Sequence, residues 1–344
     1  MKILVTGTAG FIGSYVVKAL LMQGHEAVGL DSINTYYDVE LKYARLAEAG
    51  IQRERIKEKV LVQSNCYPLY RFIKLDLVDR EELTHLFENE RFDVVVNLAA
   101  QAGVRYSIEN PYAYVESNIL GFLNILENCR HYPVQHLIYS SSSSIYGLND
   151  KVPYAEDDQV DTPISLYAVT KKSDELMAHA YSKLYGIPTT GVRFFTVYGP
   201  WGRPDMAPYL FMKAVMNGEP IKVFNHGQMR RDFTYIDDII EGLIKIVAHP
   251  STAPIPYRIY NIGNSSPVEL LHFISVIEQT TNRKAIRQMM DMQPGDVVCT
   301  YADTSRLQQD FGYKPATSVE EGIRRFYDWY VAYTAMPAMV SNPT

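Results

Sequence analysis

Short apolar runs alternate with amphipathic stretches through the first two-thirds of the chain. Residues 2–6 form an apolar run, and helical spacing of apolar positions follows over about 11–23. The same alternation predicts strands at 27–30, 72–75, 94–98, 136–139 and 190–194. It predicts helices near 38–49, 111–130 and 165–185, with an irregular polar stretch before Tyr70. The strands are apolar at nearly every position, as expected when both sheet faces are buried. Strands separated by helices of this length imply right-handed crossovers and a parallel sheet covered on both sides. After Phe195 the pattern turns to loop chemistry in Tyr198-Gly199-Pro200-Trp201-Gly202-Arg203-Pro204, then to shorter, less regular elements. A helix near 236–247 and a strand at 259–262 read as returning to the sheet. The expected organisation is therefore interleaved. Residues 1–195 and 232–262 form a sheet domain, 196–231 and 263–334 a smaller C-terminal substrate-binding lobe, and 335–344 a frayed tail.

Composition narrows the class. Of 344 residues, 47% are apolar and 21% charged, which excludes a disordered chain, a collagen and a coiled coil. No apolar run approaches the roughly 18 residues of a membrane helix, so no membrane partner is expected. The first residues form a strand entering a glycine turn, not a signal peptide, and the expected location is cytoplasmic. Cys66, Cys129 and Cys299 are odd in number and scattered, which reads as reduced thiols and not as a disulfide framework or a metal site. A net charge of −6 disfavours nucleic acid as a partner.

The candidate chemistry begins at Gly7-Thr8-Ala9-Gly10-Phe11-Ile12-Gly13, a GxxGxxG turn between the first strand and the first helix. Glycines there let the backbone approach a pyrophosphate, while the helix N-terminus supplies amides and a positive dipole end. Asp31 follows at the end of the second strand, where a carboxylate accepts from adenosine ribose hydroxyls and repels a 2′-phosphate. Ser32 follows it, and the next arginine is Arg45, so nothing local favours NADP. The combination predicts an NAD-binding, Rossmann-type doubly wound α/β fold. Asp76-Leu77 after the third strand reads equally as an adenine contact or a helix cap. Leu98-Ala99-Ala100 after the fourth offers small residues where a cofactor passes, or a plain packed strand end.

Tyr167-Ala168-Val169-Thr170-Lys171 places a phenol and an ammonium on one helix face. A free tyrosine, with pKa about 10, is a poor base near neutrality. A neighbouring cation favours the phenolate. Ser142 lies 25 residues before Tyr167 at the end of the fifth strand, where its hydroxyl is placed to hold or relay a substrate hydroxyl proton.

These motifs, in this order, resemble the extended short-chain dehydrogenase/reductase family, and within it the nucleotide-sugar epimerases of the UDP-glucuronate 4-epimerase group. The resemblance spans about residues 1–334. It is carried by Asn34-Thr35-Tyr36-Tyr37-Asp38 with Leu41-Lys42, by Gln101-Ala102-Gly103-Val104-Arg105-Tyr106-Ser107, and by Ser141-Ser142-Ser143-Ser144-Ile145-Tyr146-Gly147. The run from Arg193 to Ala207, and Arg231-Asp232-Phe233-Thr234-Tyr235-Ile236-Asp237-Asp238, carry it further.

The resemblance implies C4 epimerisation of UDP-glucuronate to UDP-galacturonate through a transient 4-keto sugar, with Tyr167 as base. It implies Lys171, Ser142 and Ser144 as further catalytic positions. NAD is implied to lie against Gly7, Ala9, Gly10, Phe11, Ile12, Gly13, Asp31, Ser32, Asn34, Lys42, Asp76, Leu77, Leu98, Ala99, Ala100, Gln101, Tyr167 and Lys171. The UDP-sugar is implied to lie against Arg105, Ser142, Ser143, Ser144, Thr196, Arg203, Arg231 and Asp296. Arg203 and Thr196 fall to the uronate carboxylate, Arg231 to the diphosphate, and Asp296 to the uridine ribose.

Alternatives stay open for three of these: Arg203 as a loop arginine, Arg231 paired with Asp237 or Asp238, and Asp296 capping a turn. Asn97 stands where many relatives have histidine, and Gln293 where glucose-type epimerases carry an arginine. Ser143 and Ser144 replace the Asp-Glu of related dehydratases, so the acid for chemistry beyond C4 is missing. Competing functions are epimerisation of UDP-glucose or of an N-acetylated UDP-uronate, and, remotely, a non-catalytic NAD sensor. Family members commonly dimerise through the two long helices, here with Val115, Ile119, Phe122, Leu176 and Tyr181 as candidate seam residues; the same pattern equally suits burial against the sheet.

Overall fold

The computed structural model describes residues 1–293 and 295–335. The strand β1 (Lys2–Thr6) leads through the glycine turn into α1 (Phe11–Met22), followed by β2 (Glu26–Asp31) and α2 (Val39–Glu48). A 3-10 turn at Arg53–Arg55 and the short β3 (Leu61–Gln63) precede β4 (Tyr70–Lys74), α3 (Arg80–Glu90) and β5 (Val94–Asn97). Two single turns, α4 (Tyr106–Glu109) and α5 (Pro111–Tyr114), run into a π-helical segment, Val115–Leu120, and then α6 (Gly121–His131). Next come β6 (His136–Ser142), a 3-10 turn at Ser143–Tyr146, α7 (Leu166–Tyr185) and β7 (Thr189–Phe194).

The remaining chain holds β8 (Thr196–Tyr198), α8 (Ala207–Asn217), β9 (Pro220–Val223), β10 (Arg230–Arg231) and β11 (Phe233–Tyr235). It continues with α9 (Ile236–Val247), β12 (Tyr257–Ile262), β13 (Val268–Glu269), α10 (Leu270–Thr281), β14 (Ile286–Met289), α11 (Ser305–Phe311) and α12 (Val319–Ala335).

The large sheet has the order β12-β7-β6-β5-β1-β2-β4-β3 and is parallel except for the antiparallel β3 edge. Its central strands are closed off from water: Ile3, Leu4, Val5, Val95 and Val96 are all 0% exposed. One apolar core lies on each face. Val16, Val17 and Leu20 of α1 pack on one side, and Leu126, Leu137 and Phe87 on the other. The order reverses between β1 and β5, which opens a crevice at the carboxyl ends of these two strands. In doubly wound sheets that switch point is where ligands bind.

Three small two-stranded pairings, β8 with β11, β9 with β14 and β10 with β13, lie outside the sheet. They are tied to it by a continuous core that includes the stacked pair Phe233 and Phe273, with centroids 4.0 Å apart. The buried Asp232 carboxylate accepts from the amides of Asn264, Ser265 and Ala302 and from Thr234 Oγ1, knotting β11 to the segments after β12.

Several elements differ from the sequence expectation. The helix expected at 111–130 runs without interruption from Pro111 to His131 but widens to π geometry over Val115–Leu120, where Asn118 turns inward and exchanges hydrogen bonds with the Gln101 backbone, accepting at 2.8 Å and donating at 3.0 Å. The stretch before Tyr70 contains an edge strand, and the smaller lobe contains full helices α8, α10 and α12. Ala335 ends α12 and so is not part of a tail; residues 336–344 lie outside the described residues. Phe122 is 2% exposed, packed on the sheet, so it cannot join a surface seam. Among the described residues no helix is long and apolar enough to cross a membrane.

Candidate active site

A cavity of about 350 Å³ opens at the switch point. The glycine turn forms one wall. Gly7 has φ +74°, and a Cβ there would lie 2.9 Å from the Ala99 amide nitrogen. A Cβ on Gly13 would lie 2.1 Å from Gly7 O, so α1 can pack against the turn only as glycine. At the end of β2 the Asp31 carboxylate accepts from the amides of Ala9 at 3.0 Å and Ile33 at 2.8 Å. Burial pushes its carboxyl upward, against the pull of Lys42 and these amides. Lys42 Nζ donates to Asn34 O and Oδ1, both at 2.7 Å, and burial lowers its affinity for a proton while Asp31 opposes that.

Gly7, Gly10, Phe11, Ile12, Gly13, Asp31, Ser32, Asn34, Lys42, Asp76, Leu77, Leu98, Ala99, Ala100 and Gln101 all line this cavity. Ala9 does not: it is 0% exposed, and its amide is spent on Asp31. The cap of α3 is Asp79, whose carboxylate accepts from the Glu82 amide; Asp76 instead turns the chain onto the Val78 amide at 3.1 Å.

The same cavity runs on to Ser142, Ser143, Ser144, Tyr167, Lys171, Thr196 and Arg203. Ser165 caps α7, accepting from the Ala168 amide at 3.2 Å, and so fixes where Tyr167 enters the site. The Tyr167 ring meets Tyr114 edge-on, with centroids 6.0 Å apart. Ser142 Oγ accepts from the Ser144 amide and donates to Ser144 Oγ, each at 3.2 Å, so the two hydroxyls act as one unit.

Arg203 is not a bare loop cation. Its Nε donates to Asp205 Oδ1 at 3.1 Å and its Nη2 to Oδ2, and Tyr36 donates to the same Oδ2 at 3.0 Å. Burial works against the charge, but Asp205 holds Arg203 well above the usual arginine range and is itself held below the usual carboxylate range.

Three expected substrate residues do not line the cavity. Arg105 and Asp296 form an ion pair at 3.0 Å, with Arg105 over the Phe224 ring. Arg231 pairs with neither Asp237 nor Asp238, because Asp237 faces Arg325 and Asp238 accepts from the amides of Ala316 and Thr317. Its guanidinium donates instead to the carbonyls of Arg230 and Val298. Burial lowers its affinity for a proton, with Asp296 opposing.

Sequence reasoning named Arg45 only as the next arginine after Asp31 and missed its role in the site. It is 2% exposed and donates to Ala9 O in the glycine turn, to the carbonyls of Trp201 and Gly202 in the loop that carries Arg203, and to the Tyr37 hydroxyl. It therefore ties the two walls of the cavity together. The available signal was its spacing, four residues after Leu41 and so on the same face of α2.

Residues 3–263 match the NAD dependent epimerase/dehydratase family. The chain belongs to this family. Among its relatives, Protein CapI of Staphylococcus aureus is 51% identical, over 97% of this chain and 99% of that protein. A probable UDP-glucuronate 4-epimerase of Rhizobium meliloti is 46% identical, over 96% of this chain and 97% of that one. A crystal structure of UDP-glucuronic acid 4-epimerase from Bacillus cereus, in complex with UDP-glucuronic acid and NAD, superposes with a TM-score of 0.86. It is 33% identical, covering 97% of this chain and all of that one. For a family member the glycine wall and the Asp31 end of the cavity fit a dinucleotide, and the Tyr167 end fits a small polar substrate.

Proposed function

We propose that the protein is an NAD-dependent UDP-glucuronate 4-epimerase, interconverting UDP-glucuronate and UDP-galacturonate through a 4-keto sugar. The observation that carries this reading is one cavity lined by the glycine turn, Asp31, Ser142, Tyr167, Lys171 and Arg203. The relatives that bear this activity by name cover nearly the full chain and support it.

In this reading Gly7, Gly10 and Gly13 admit the pyrophosphate to the N-terminus of α1, and Asp31 accepts from the adenosine ribose. Tyr167 takes the proton from the C4 hydroxyl, which the paired Ser142 and Ser144 hydroxyls hold in line. Lys171 favours the phenolate by its charge. NAD, when held by the glycine turn and Asp31, would supply the reversible hydride acceptor that oxidation and re-reduction at C4 require. Arg203 faces the uronate carboxylate with the N–H groups not spent on Asp205, and Thr196 and Ser144 assist it. A 4-keto uronate is a β-keto acid, and a carboxylate held out of line with the ketone does not lose CO₂. Arg231, Arg105 and Asp296 take the diphosphate and uridine, which requires the Arg105–Asp296 pair to rearrange on binding.

The assignment of 1–195 and 232–262 to the nucleotide half, and of 196–231 and 263–334 to the sugar half, belongs to this proposal. So does a homodimer, supported by exposed Tyr112, Val115, Leu120, Val169 and Leu176 on the π segment and its neighbouring helices. The proposed location is the cytoplasm, in keeping with three unpaired cysteines.

The deciding experiment incubates the enzyme and NAD separately with UDP-glucuronate, UDP-glucose and UDP-N-acetylglucosamine and identifies products by NMR. Formation of UDP-galacturonate from UDP-glucuronate is expected. Turnover of the neutral sugars in its place refutes the uronate reading.

A further inference from the structure

Lys171 does not stand alone behind Tyr167. Its Nζ donates to Asp174 Oδ2 at 2.9 Å, and both side chains are 3% exposed. Ser140 Oγ is 3.5 Å from the same nitrogen. The other carboxylate oxygen, Asp174 Oδ1, is buried without a hydrogen-bond partner. The adjacent Glu175 is compensated separately: Arg193 binds it twice, at 2.8 and 2.9 Å, and Ser141 Oγ donates to it at 2.7 Å. The charge of Asp174 is thus matched to Lys171 and to no other contacting cation among the described residues. A buried ion pair of this kind is weak evidence for stability, because two desolvated charges gain little over an apolar pair. A role in setting the field at the reacting groups accounts for it better.

We propose that Asp174 is a positioning residue that holds the Lys171 ammonium and sets how much of its charge reaches the Tyr167 phenol. This rests on Tyr167 being the base of the proposed epimerase. The groups around Asp174 leave that balance to it. On its own helix are Lys171, Lys172 and Glu175, with Lys172 3.8 Å from Glu175. From β6 comes Tyr139, from β7 Arg193 and from β12 Tyr257, the last hydrogen-bonded to Tyr139. The 3-10 turn offers Tyr146, which is bonded to Arg193, and α5 offers Tyr114, bonded to Ala102 O. The π segment faces α7 with neutral Asn118, bonded to Thr170. Its Glu116, and Glu109 of α4, are exposed to solvent, and Glu127 of α6 is occupied by Tyr181 and Arg130.

Burial lifts the Asp174 carboxyl to about 6, against the pull of Lys171. Asp174 is therefore ionised at neutral pH, where it tempers the lysine, and it becomes neutral on acidification. As pH falls and the carboxylate is neutralised, the full lysine charge returns to the phenol, a state that a variant without the carboxylate charge holds at every pH.

Asp174→Asn separates charge from geometry, because the amide oxygen still accepts from Lys171. The pH profile of kcat for UDP-glucuronate should keep its plateau within about threefold, and its acidic limb should move down by roughly half to one pH unit. A second readout needs no turnover. Losing a negative charge beside the nicotinamide end should weaken NAD⁺ relative to NADH, raising the ratio of their dissociation constants about three- to tenfold in calorimetry. Asp174→Ser, which also removes the charge, should move both readouts the same way. An active wild type with an unshifted limb and an unchanged NAD⁺/NADH ratio in D174N overturns the proposal. So does failure of both variants to fold, which assigns Asp174 to stability. A wild type inactive on UDP-glucuronate refutes the epimerase reading, while the NAD⁺/NADH ratio still decides the role of Asp174.

Discussion

Arg203→Ala tests the narrowest part of the proposed function. The guanidinium sits in a partly desolvated site: Arg203 and Asp205 side chains are 23% and 24% exposed. Removing it costs the uronate carboxylate a charge-assisted contact, worth about 2 kcal/mol, or roughly thirtyfold in kcat/KM. It also strips Asp205 of its counter-ion, leaving that carboxylate with Tyr36 as its remaining side-chain donor among the described residues. Two unit charges about 8 Å apart at an effective dielectric of about 20 repel by roughly 2 kcal/mol, which adds a similar factor. The single variant should therefore lose between about thirtyfold and a thousandfold on UDP-glucuronate. Arg203→Ala combined with Asp205→Asn removes the repulsion and should return to the thirtyfold end. Binding of UDP, which carries no carboxylate, should change less than about threefold. Steady-state kinetics with UDP-glucuronate and calorimetry with UDP measure both sides, and NMR of the products reveals any UDP-4-keto-pentose released by a loosened carboxylate. Equal weakening of UDP and UDP-glucuronate refutes the reasoning and moves Arg203 to the diphosphate.

Tyr167→Phe should lower turnover by roughly a hundredfold or more while calorimetry still detects NAD; near-normal turnover removes Tyr167 from the role of base. Asp31→Ala should weaken NAD and narrow its advantage over NADP, and a wild type that binds both equally contradicts the ribose role. His136 is 0% exposed, between Thr190 Oγ1 at 2.8 Å and Val247 O at 3.3 Å, and burial depresses it to about 4. The unfolded chain takes up this proton near pH 6.5 and the folded one only near 4, so stability should fall as pH drops through that window, by about 3 kcal/mol in total. Urea denaturation at pH 7 and 4.5 should show this loss, and His136→Gln should reduce it; an equal loss in the variant excludes His136 as its source.

The parts of this protein legible in sequence are those fixed by near neighbours. The glycine turn is one, because Gly13 meets Gly7 within a single turn of chain. Asp31 at the end of β2 is another, and Tyr167 and Lys171 share a face because a helix repeats every 3.6 residues. The parallel sheet was legible too, since strands buried on both faces must be apolar throughout. The helices of the smaller lobe were less so. Phe273, Ile274 and Ile277 of α10 recur at helical spacing, but short apolar runs read as strand or helix alike.

Only the tertiary structure decided the state of the charged groups. Arg203 looked like a free cation until Asp205 and Tyr36, 169 residues from each other in sequence, closed on it. Arg105 and Asp296, 191 residues apart, satisfy each other outside the cavity, and Arg45 reaches 156 residues along the chain to the Trp201 carbonyl. Even Asp174, three residues from Lys171, gained its meaning from burial, since the same pair on an exposed helix face would be worth a few tenths of a kcal/mol. Hydrogen-bond partners and desolvation set what a charge does, and both depend on which distant segments the folded core brings against it.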